Sequence, residues 1–422
     1  MRTAMQQPVP ARAAGPSPSL ARILVLPSLV IMLGLMSLGA PMVVLAVEVD
    51  RVLGFGPVIA GLVLATEALV TLITRPAVGR IADRRGTHRA VTLGLVAAAV
   101  SGLFYLLAGL LPLGPAGALA LILAGRVAMG VGQGFLFTGG TAWSVDLVSF
   151  DQAGRAISWI GMAMFVGIAA GTALGGMAGA VAAWLEPAIA LNGFAIAALL
   201  TMIAPLAGLV FAIFAPAAPI HSSDAAPASL GQIVRAIWRP SLGFGLAATG
   251  YSAVTSFVVL AFVTRGWATG DIAVSAFVAA FVIARVPFGD ISDRATGSTP
   301  ILLALAALAG GLLVLWIAPS PWIAIAAAAL SGFGMSLTYP LLAVPAIRAV
   351  PRAQTASAIG LYDGSYDLAA LITPPVCGII AATAGYQTIF LVAGIAVLAA
   401  MLPAHAAWRI DQANRGDASS AP

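Results

Sequence analysis

Twelve runs of about twenty apolar residues follow one another along the chain, and this pattern restricts the fold more than any other feature. A helix of that length crosses the roughly 30 Å hydrocarbon core of a bilayer. Because 61% of the residues are hydrophobic and only 8% are charged, the chain has too few polar side chains to cover a surface in water. We predict an all-α polytopic membrane protein. The predicted spans lie near residues 23–46, 57–78, 90–111, 117–140, 156–181, 188–214, 241–263, 271–288, 300–318, 322–346, 356–382 and 387–408.

Arginine placement predicts the orientation of these spans, because the chain contains no lysine. Cytoplasmic loops of membrane proteins carry an excess of basic residues. With the N-terminus inside, fifteen arginines fall on the inner side, whereas only Arg51 and Arg265 fall on the outer side. We therefore predict that both termini lie in the cytoplasm.

The spans divide into two sets of six, which a more polar segment separates. Residues 1–22 are rich in Pro, Ala and Ser and have the composition of a disordered tail. The separating segment begins as a flexible linker. Its second part predicts a short amphipathic helix on the inner leaflet, with an apolar face opposite Arg235 and Arg239 that comprises Leu230, Ile233, Val234, Ile237 and Trp238. The predicted division is a cytoplasmic tail at 1–22, a first half at 23–214, a linker at 215–240, a second half at 241–409 and a cytoplasmic tail at 410–422.

One charged phrase occurs in each half, at the link between the second and third spans. The first copy contains Arg75, Gly79, Ile81, Asp83 and Arg84. The same residue types return 210 positions later as Arg285, Gly289, Ile291, Asp293 and Arg294. A weaker repeat relates the fifth spans, where Gly179 and Gly378 lie 199 positions apart. Duplicated six-helix units are typical of transporters, so we predict two pseudo-symmetric six-helix halves.

The charged phrase and two further segments resemble those of the major facilitator superfamily. GRIADRRGTH at 79–88 is similar to the signature between helices 2 and 3 of that family, and GRVAMGVGQG at 125–134 to its helix 4 motif. GIAAGTALGG at 167–176 resembles the helix 5 motif of its proton-coupled exporters, with Thr172 in place of a proline. Longer segments resemble bacterial members labelled arabinose-efflux-type permeases. The resemblance implies the major facilitator fold and a location in the bacterial inner membrane.

The charged phrase predicts a gate at the cytoplasmic face. Gly79 lets two helix ends approach closely, and Asp83 can cap the N-terminus of helix 11 across the two halves. Arg84 or Arg85 can reach an acidic residue of the next cytoplasmic loop. The alternative is that the arginines only set the membrane topology. The predicted gate comprises Arg75, Gly79, Asp83, Arg84, Arg85, Gly86, Asp146, Asp151, Arg155, Arg285, Gly289, Asp293 and Arg294.

Glycines recur at four-residue spacing on the predicted fifth span. Small residues on one face of a helix let backbones pack closely in lipid, and packing alone can explain them. The resemblance adds a mechanical role, in which helix 5 faces the other half and slides or rocks against it. The residues of this antiporter-like motif are Gly167, Gly171, Thr172, Gly175 and Gly176.

Four ionisable residues fall deep inside predicted spans, namely Glu67, Arg126, Asp363 and Asp367, and we interpret them as candidates for proton coupling. Asp363 and Asp367 lie one turn apart on helix 11, so they repel each other, and one can be protonated near neutral pH. We favour Asp367, since Asp363 lies near the cytoplasmic end and can simply be hydrated. Glu67 is either a second proton site or a structural partner of Arg126. The resemblance associates Arg126 with proton transfer, and a structural ion pair is the competing view.

The leading interpretation is a secondary transporter that works by alternating access and exports a small molecule in exchange for protons. The alternatives are proton-coupled import of a sugar or organic acid, and a membrane sensor that keeps the transporter fold without transporting. Candidates for the substrate cavity, each of which packing alone can also explain, are Tyr362, Tyr366, Gln133, Trp143, Tyr251 and Tyr339.

Several other function classes find no support in the sequence. The three histidines are scattered, which argues against a metal site, and no convergent catalytic groups or ATP-binding phrase occur. We expect no enzyme activity and no cofactor. The basic residues lie in short loops beside helix ends, so they do not indicate nucleic-acid binding. The expected partners are a small-molecule substrate, protons and the lipid bilayer, and the resemblance implies a monomer.

Overall fold

The computed structural model describes residues 20–148, 152–185, 191–218, 230–288, 295, 297–351 and 355–420, except for a few side chains within these ranges. The described residues form helices and connecting turns, with no strand among them. Twelve main helical segments of this described chain are labelled α1 to α12. Their bounds are Leu20–Met42, Gly56–Arg85, Thr87–Leu110, Gly114–Gly134, Ala153–Gly176, Gly193–Phe214, Leu230–Thr264, Gly270–Ile283, Thr299–Ile317, Pro321–Arg348, Thr355–Ala384 and Tyr386–Ser420.

Shorter helical segments adjoin four of these helices. They are Leu45–Val47 and the π-helical Glu48–Val52 after α1, the π-helical Phe135–Gly139 and then Gly140–Asp146 after α4, Ala178–Leu185 after α5, and Arg285–Phe288 after α8. Gly86 separates α2 from α3 and has a backbone φ of 90°, a conformation that favours glycine. The antiparallel α2 and α3 are therefore joined by a single residue.

The lengths and composition of the helices confirm the predicted all-α membrane fold. Eleven helices of the described chain are long and apolar enough to cross a membrane. The remaining predicted span corresponds to α8, whose 14 residues continue after Ala284 into Arg285–Phe288. We call the face where α1 begins and α12 ends the terminal face, and the other the distal face.

The amphipathic segment before the second half differs from the prediction of a separate surface helix. Residues from Leu230 onwards form one continuous helix with the seventh span, and Pro240 lies inside it. Ile233 and Ile237 are each only 1% exposed, because they pack into the protein core. Ile233 and Ile237 therefore contact protein, whereas Val234 and Trp238 of the same apolar face are 48% and 45% exposed.

The two six-helix halves meet along two helix pairs, in which α2 packs on α11 and α5 packs on α8. The α2–α11 contact is closest at the distal face, where a Cβ on Gly61 would overlap the backbone of Pro374. A Cβ on Gly378 would likewise overlap the backbone of Pro57. The halves are thus in direct backbone contact at this end.

The glycine stripe of α5 faces a different neighbour from the one expected. Added Cβ atoms on Gly167 and Gly171 would overlap backbone carbonyl oxygens of α1, and the same holds for Gly175. Since α1 belongs to the same half, these glycines fix two helices of one rigid unit. Gly176 is the exception, because an added Cβ there would lie 3.2 Å from Cβ of Asp271 on α8. The expectation that the stripe slides against the other half is corrected for the first three glycines.

We expect Gly171→Ala to lower the free energy of unfolding by about 1–3 kcal/mol, because its methyl group would overlap the carbonyl of Met36. Gly161 on the same helix is the matched control, since an added Cβ there meets nothing within 4 Å. Gly161→Ala should be neutral or slightly stabilising. Unfolding of the purified proteins in detergent measures both changes, and equal effects of the two substitutions would contradict the assignment.

Candidate functional site

A cavity of about 80 Å³ lies between the two halves. Residues of α1, α2, α4, α7 and α11 form its wall, so both halves contribute. Ligand pockets for drug-sized molecules usually measure about 300–1,000 Å³, so this cavity must widen before it can enclose a molecule of that size. Its lining comprises Leu38, Pro41, Met42, Leu45, Leu64, Glu67, Ala68, Arg126, Gln133, Tyr251, Ser252, Thr255, Ser256, Tyr366, Asp367, Ala370 and Pro374.

An ion pair joins the two halves at the wall of this cavity. The Nη2 atom of Arg75 on α2 donates a hydrogen bond of 3.0 Å to Oδ1 of Asp367 on α11, and its Nε lies 2.5 Å from Oδ2. The Asp367 residue is 3% exposed, which makes the guanidinium its main source of charge compensation. The structure therefore places Arg75, which the sequence grouped with the gate, beside the carboxylate favoured for proton coupling.

A second ion pair lies within the first half. Arg126 on α4 pairs through Nη1 with Oε2 of Glu67 on α2, and its Nη2 donates a hydrogen bond of 2.9 Å to the carbonyl of Leu64. Both charged residues are buried, and both line the cavity. Of the two possibilities left open for Glu67, a structural pairing with Arg126 is present in this conformation.

Asp363 lies one turn closer to the terminal face than Asp367 and has a different partner. The hydroxyl of Tyr339 donates a hydrogen bond of 3.0 Å to its Oδ1. Tyr362 in turn donates one of 2.9 Å to the backbone carbonyl of Tyr339. The rings of Tyr339 and Tyr362 pack on Phe244 of α7. Asp363 is thus held in an aromatic cluster beside the cavity.

Three of the six predicted cavity residues line the cavity, namely Gln133, Tyr251 and Tyr366. Tyr339 and Tyr362 belong to the adjoining aromatic cluster instead. Trp143 lies elsewhere, fully buried within the first half, where its indole N–H donates a hydrogen bond of 3.0 Å to the carbonyl of Pro216. Trp143 is therefore a packing residue, and its assignment to the substrate cavity is corrected.

The sequence analysis missed three polar residues of the cavity, Ser252, Thr255 and Ser256 on α7. Their spacing of three and four places them on one face of a helix that is otherwise mostly apolar. The sequence could therefore have indicated these cavity residues as a small polar stripe on a membrane helix.

The described part of the predicted gate shows one contact within the first half. The hydroxyl of Thr87 donates a hydrogen bond of 3.0 Å to Oδ2 of Asp146, and no ion pair joins that carboxylate to Arg84 or Arg85 among the described side chains. Both arginines are exposed. Seven other gate predictions lie outside what the structure describes: the surroundings of Gly79, the side chains of Asp83 and Arg155, and the residues Asp151, Gly289, Asp293 and Arg294.

Comparison with known proteins identifies the family. The family model described as Major Facilitator Superfamily matches residues 28–320 and 266–421 of this chain. The chain belongs to this superfamily. An uncharacterized MFS-type transporter of Pseudomonas aeruginosa (strain UCBPP-PA14) is 32% identical over 369 residues, which cover 87% of this chain and 89% of the relative.

Two solved transporter structures share the fold of this superfamily member. A bacterial homolog of the human lysosomal transporter Spinster, in an inward-facing and unoccupied conformation, has a TM-score of 0.74 at 14% identity and covers 94% of this chain and 98% of its own. A D-xylose-proton symporter has a TM-score of 0.74 at 16% identity and covers 90% of this chain and 97% of its own. At these identities the similarity concerns the fold alone.

The transporter is further closed at its distal face by a contact between the halves. The Tyr386 hydroxyl at the start of α12 donates a hydrogen bond of 2.6 Å to Oδ2 of Asp50, which follows α1. The Nε atom of Arg51 lies 3.1 Å from the same oxygen, and its Cζ lies 5.9 Å from the centroid of the Tyr386 ring. We call Asp50, Arg51 and Tyr386 the distal latch. Because the latch joins the two halves, it favours the conformation that is closed at this face.

We expect Arg126→Gln to destabilise the transporter by about 3–5 kcal/mol, because it leaves the buried Glu67 carboxylate without its cation. The double variant Glu67→Gln/Arg126→Gln should lose less, since no uncompensated charge remains. Unfolding of the purified proteins in detergent compares the two. The single variant Glu67→Gln is measured as well, and a double variant as unstable as the sum of Glu67→Gln and Arg126→Gln would contradict the pairing.

We expect Tyr386→Phe to open the distal face, because it removes the hydrogen bond to Asp50. A bond to a charged group contributes about 1.5–3 kcal/mol, so the distally open population should rise about tenfold or more. Spin labels on Leu111→Cys and Thr383→Cys, in a Cys377→Ala background, report the distance between the halves by double electron–electron resonance. Thr388→Val is the control, since the Thr388 hydroxyl donates its hydrogen bond to the carbonyl of Ala384 at the end of α11, within the same half. An unchanged distance distribution in Tyr386→Phe would refute the latch.

Proposed function

We propose that this transporter exports a small molecule in exchange for protons and that Asp367 carries the proton. The single observation that supports this proposal is the ion pair between Arg75 and Asp367, because its carboxylate lines the cavity and the pair joins the two halves. One carboxylate can therefore respond to the contents of the cavity and act on the contact between the halves.

The chemistry of the pair explains how a proton can drive the conformational change. A proton on Asp367 removes the negative charge that holds Arg75, which weakens the contact of α2 with α11. Loss of that proton restores the pair. In this scheme the cavity holds the substrate in one conformation and the proton in the other. Protons that move down their gradient then return the carrier to the conformation that binds the next substrate molecule.

Export rather than import is supported by the glycine-rich segment of α5, which resembles the motif of proton-coupled exporters. Import by proton symport is the second candidate, because Thr172 replaces the proline of that motif. The Thr172 hydroxyl donates a hydrogen bond of 2.9 Å to the carbonyl of Ile168, so α5 continues without a proline at this position. The D-xylose-proton symporter has the same fold, which is therefore compatible with proton-coupled import.

We further propose that the terminal face is the cytoplasmic face of a bacterial inner membrane. The asymmetric distribution of the arginines supports this orientation. The distal latch would then close the outer side of the carrier, and the cavity would exchange its contents with the cytoplasm.

The test is a comparison of metabolites in cells and medium during overexpression of wild type, Asp367→Asn and Asp271→Asn at matched membrane levels. Asp271 at the distal end of α8 is the control carboxylate, because it does not line the cavity. We expect one compound to leave the cells with wild type and the control. With Asp367→Asn its export should fall about tenfold or more. Acidification of the medium should increase export by the wild type.

Other outcomes of this comparison separate the alternatives. A compound that accumulates inside the cells would support symport and overturn the direction. Equal export by wild type and Asp367→Asn would overturn the assignment of the proton site. If no compound moves with either protein, while expression still alters the response of the cell, the carrier fold would serve as a sensor.

A further inference from the structure

The two repeated arginines have different surroundings in the folded protein. Arg75 pairs with a carboxylate across the halves, whereas no ion pair joins Arg285 to a carboxylate in the part of the chain that the structure describes. Instead, the Cζ atom of Arg285 lies 4.5 Å from the centroid of the Phe165 ring on α5 and 5.3 Å from that of Phe281 on α8. The second arginine therefore also lies at the contact between the halves, but it faces aromatic rings.

The sequence repeat explains why α5 offers no carboxylate to Arg285. The contact of α8 with α5 corresponds in the duplicated architecture to that of α2 with α11. The 199-residue offset of Gly179 and Gly378 relates Asp367 to Ile168 and Asp363 to Met164. Thus α5 has apolar side chains at the positions where α11 has its two carboxylates.

The guanidinium of Arg285 also has unused hydrogen-bond donors. Its Nε and Nη2 atoms are buried and have no hydrogen-bond partner among the described residues. An aromatic ring attracts a cation through its face, but it does not satisfy the donors that lie in the guanidinium plane. Buried donors without a partner are unfavourable, and an anion would satisfy them. A carboxylate fits this requirement, because it can accept two parallel hydrogen bonds from the guanidinium.

Arg285 lies close to the cavity. The Phe281 ring packs against the ring of Tyr251, with 6.3 Å between their centroids, and Tyr251 lines the cavity. Because α8 runs from the distal towards the terminal face, Arg285 is on the terminal side of that contact. A molecule that moves between the cavity and the terminal face therefore passes near this arginine.

We propose that Arg285 binds the anionic group of the transported molecule and that the substrate is an organic carboxylate with an apolar or aromatic body. Phe165 and Phe281 would contact that body, and the substrate carboxylate would replace the partner that α5 does not provide. This inference rests on the proposed function, since it assumes that a small molecule passes through the cavity.

Binding of benzoate to the purified full-length protein tests the site without a transport assay. Benzamide has the same shape but no charge, and isothermal titration calorimetry compares the two probes. We expect wild type to bind benzoate about tenfold or more tightly than benzamide. Arg285→Gln should lose this preference, and Arg285→Lys should keep part of it. Arg409→Gln is the control, since Arg409 is exposed near the end of α12.

The outcomes of the binding experiment decide the inference directly. No benzoate binding by wild type, equal binding of both probes, or full benzoate affinity in Arg285→Gln would overturn it. Each variant is first compared with wild type by thermal unfolding, and Arg285→Lys keeps the test valid if Arg285→Gln fails to fold.

The metabolite comparison then separates this inference from the proposed function. Export of an organic anion that falls with Arg285→Gln supports both proposals. Equal export of a neutral or cationic compound by wild type and Arg285→Gln would overturn the anion site and leave export intact. If no compound moves with wild type but benzoate still binds through Arg285, the export proposal fails and the anion site stands.

Discussion

The ion pair between Arg75 and Asp367 is the interaction on which the arrangement of the two halves most depends. A charge in the membrane interior is unfavourable unless a partner or water compensates it, and each member of this pair compensates the other. Because the two residues belong to different halves, their mutual neutralisation also holds α2 against α11. Any event that changes the charge of Asp367 therefore acts on a contact that must change if the two halves move against each other. In the proposed mechanism, protonation of Asp367 is therefore coupled directly to the contact between the two halves.

The close backbone contacts are of two kinds, one within a half and one between the halves. The glycines of α5 bring its backbone against α1 within one half, and such close contact favours a rigid unit. The contact of Gly61 with Pro374 instead joins α2 and α11 of different halves at the distal face, beside the latch that Tyr386 forms with Asp50. Movement of one half against the other must break the second kind of contact and can leave the first unchanged.

The duplicated halves have become chemically unequal at their two points of contact. Both halves retain an arginine near the end of their second helix, but only α11 supplies a carboxylate to pair with it. One contact is consequently suited to bind and release a proton. The other has an arginine beside two phenyl rings, with two buried donors that lack a partner among the described residues, which is suited to an anionic ligand. This division of roles follows from the difference between Asp367 and Ile168, two positions that the repeat makes equivalent.

The sequence by itself determined the number and length of the membrane helices, because the hydrocarbon thickness of the bilayer sets how long each apolar run must be. It also indicated Glu67, Arg126 and Asp367 as candidates for the site, since a charge at that depth needs a partner or a wet cavity. Only the tertiary structure decided which partner each charge has. The pairing of Arg75 with Asp367, the packing of the α5 glycines on α1 and the burial of Trp143 away from the cavity depend on how each helix is rotated and which helix it crosses. Those choices arise from contacts between residues far apart in the chain, which local patterns of polarity do not encode.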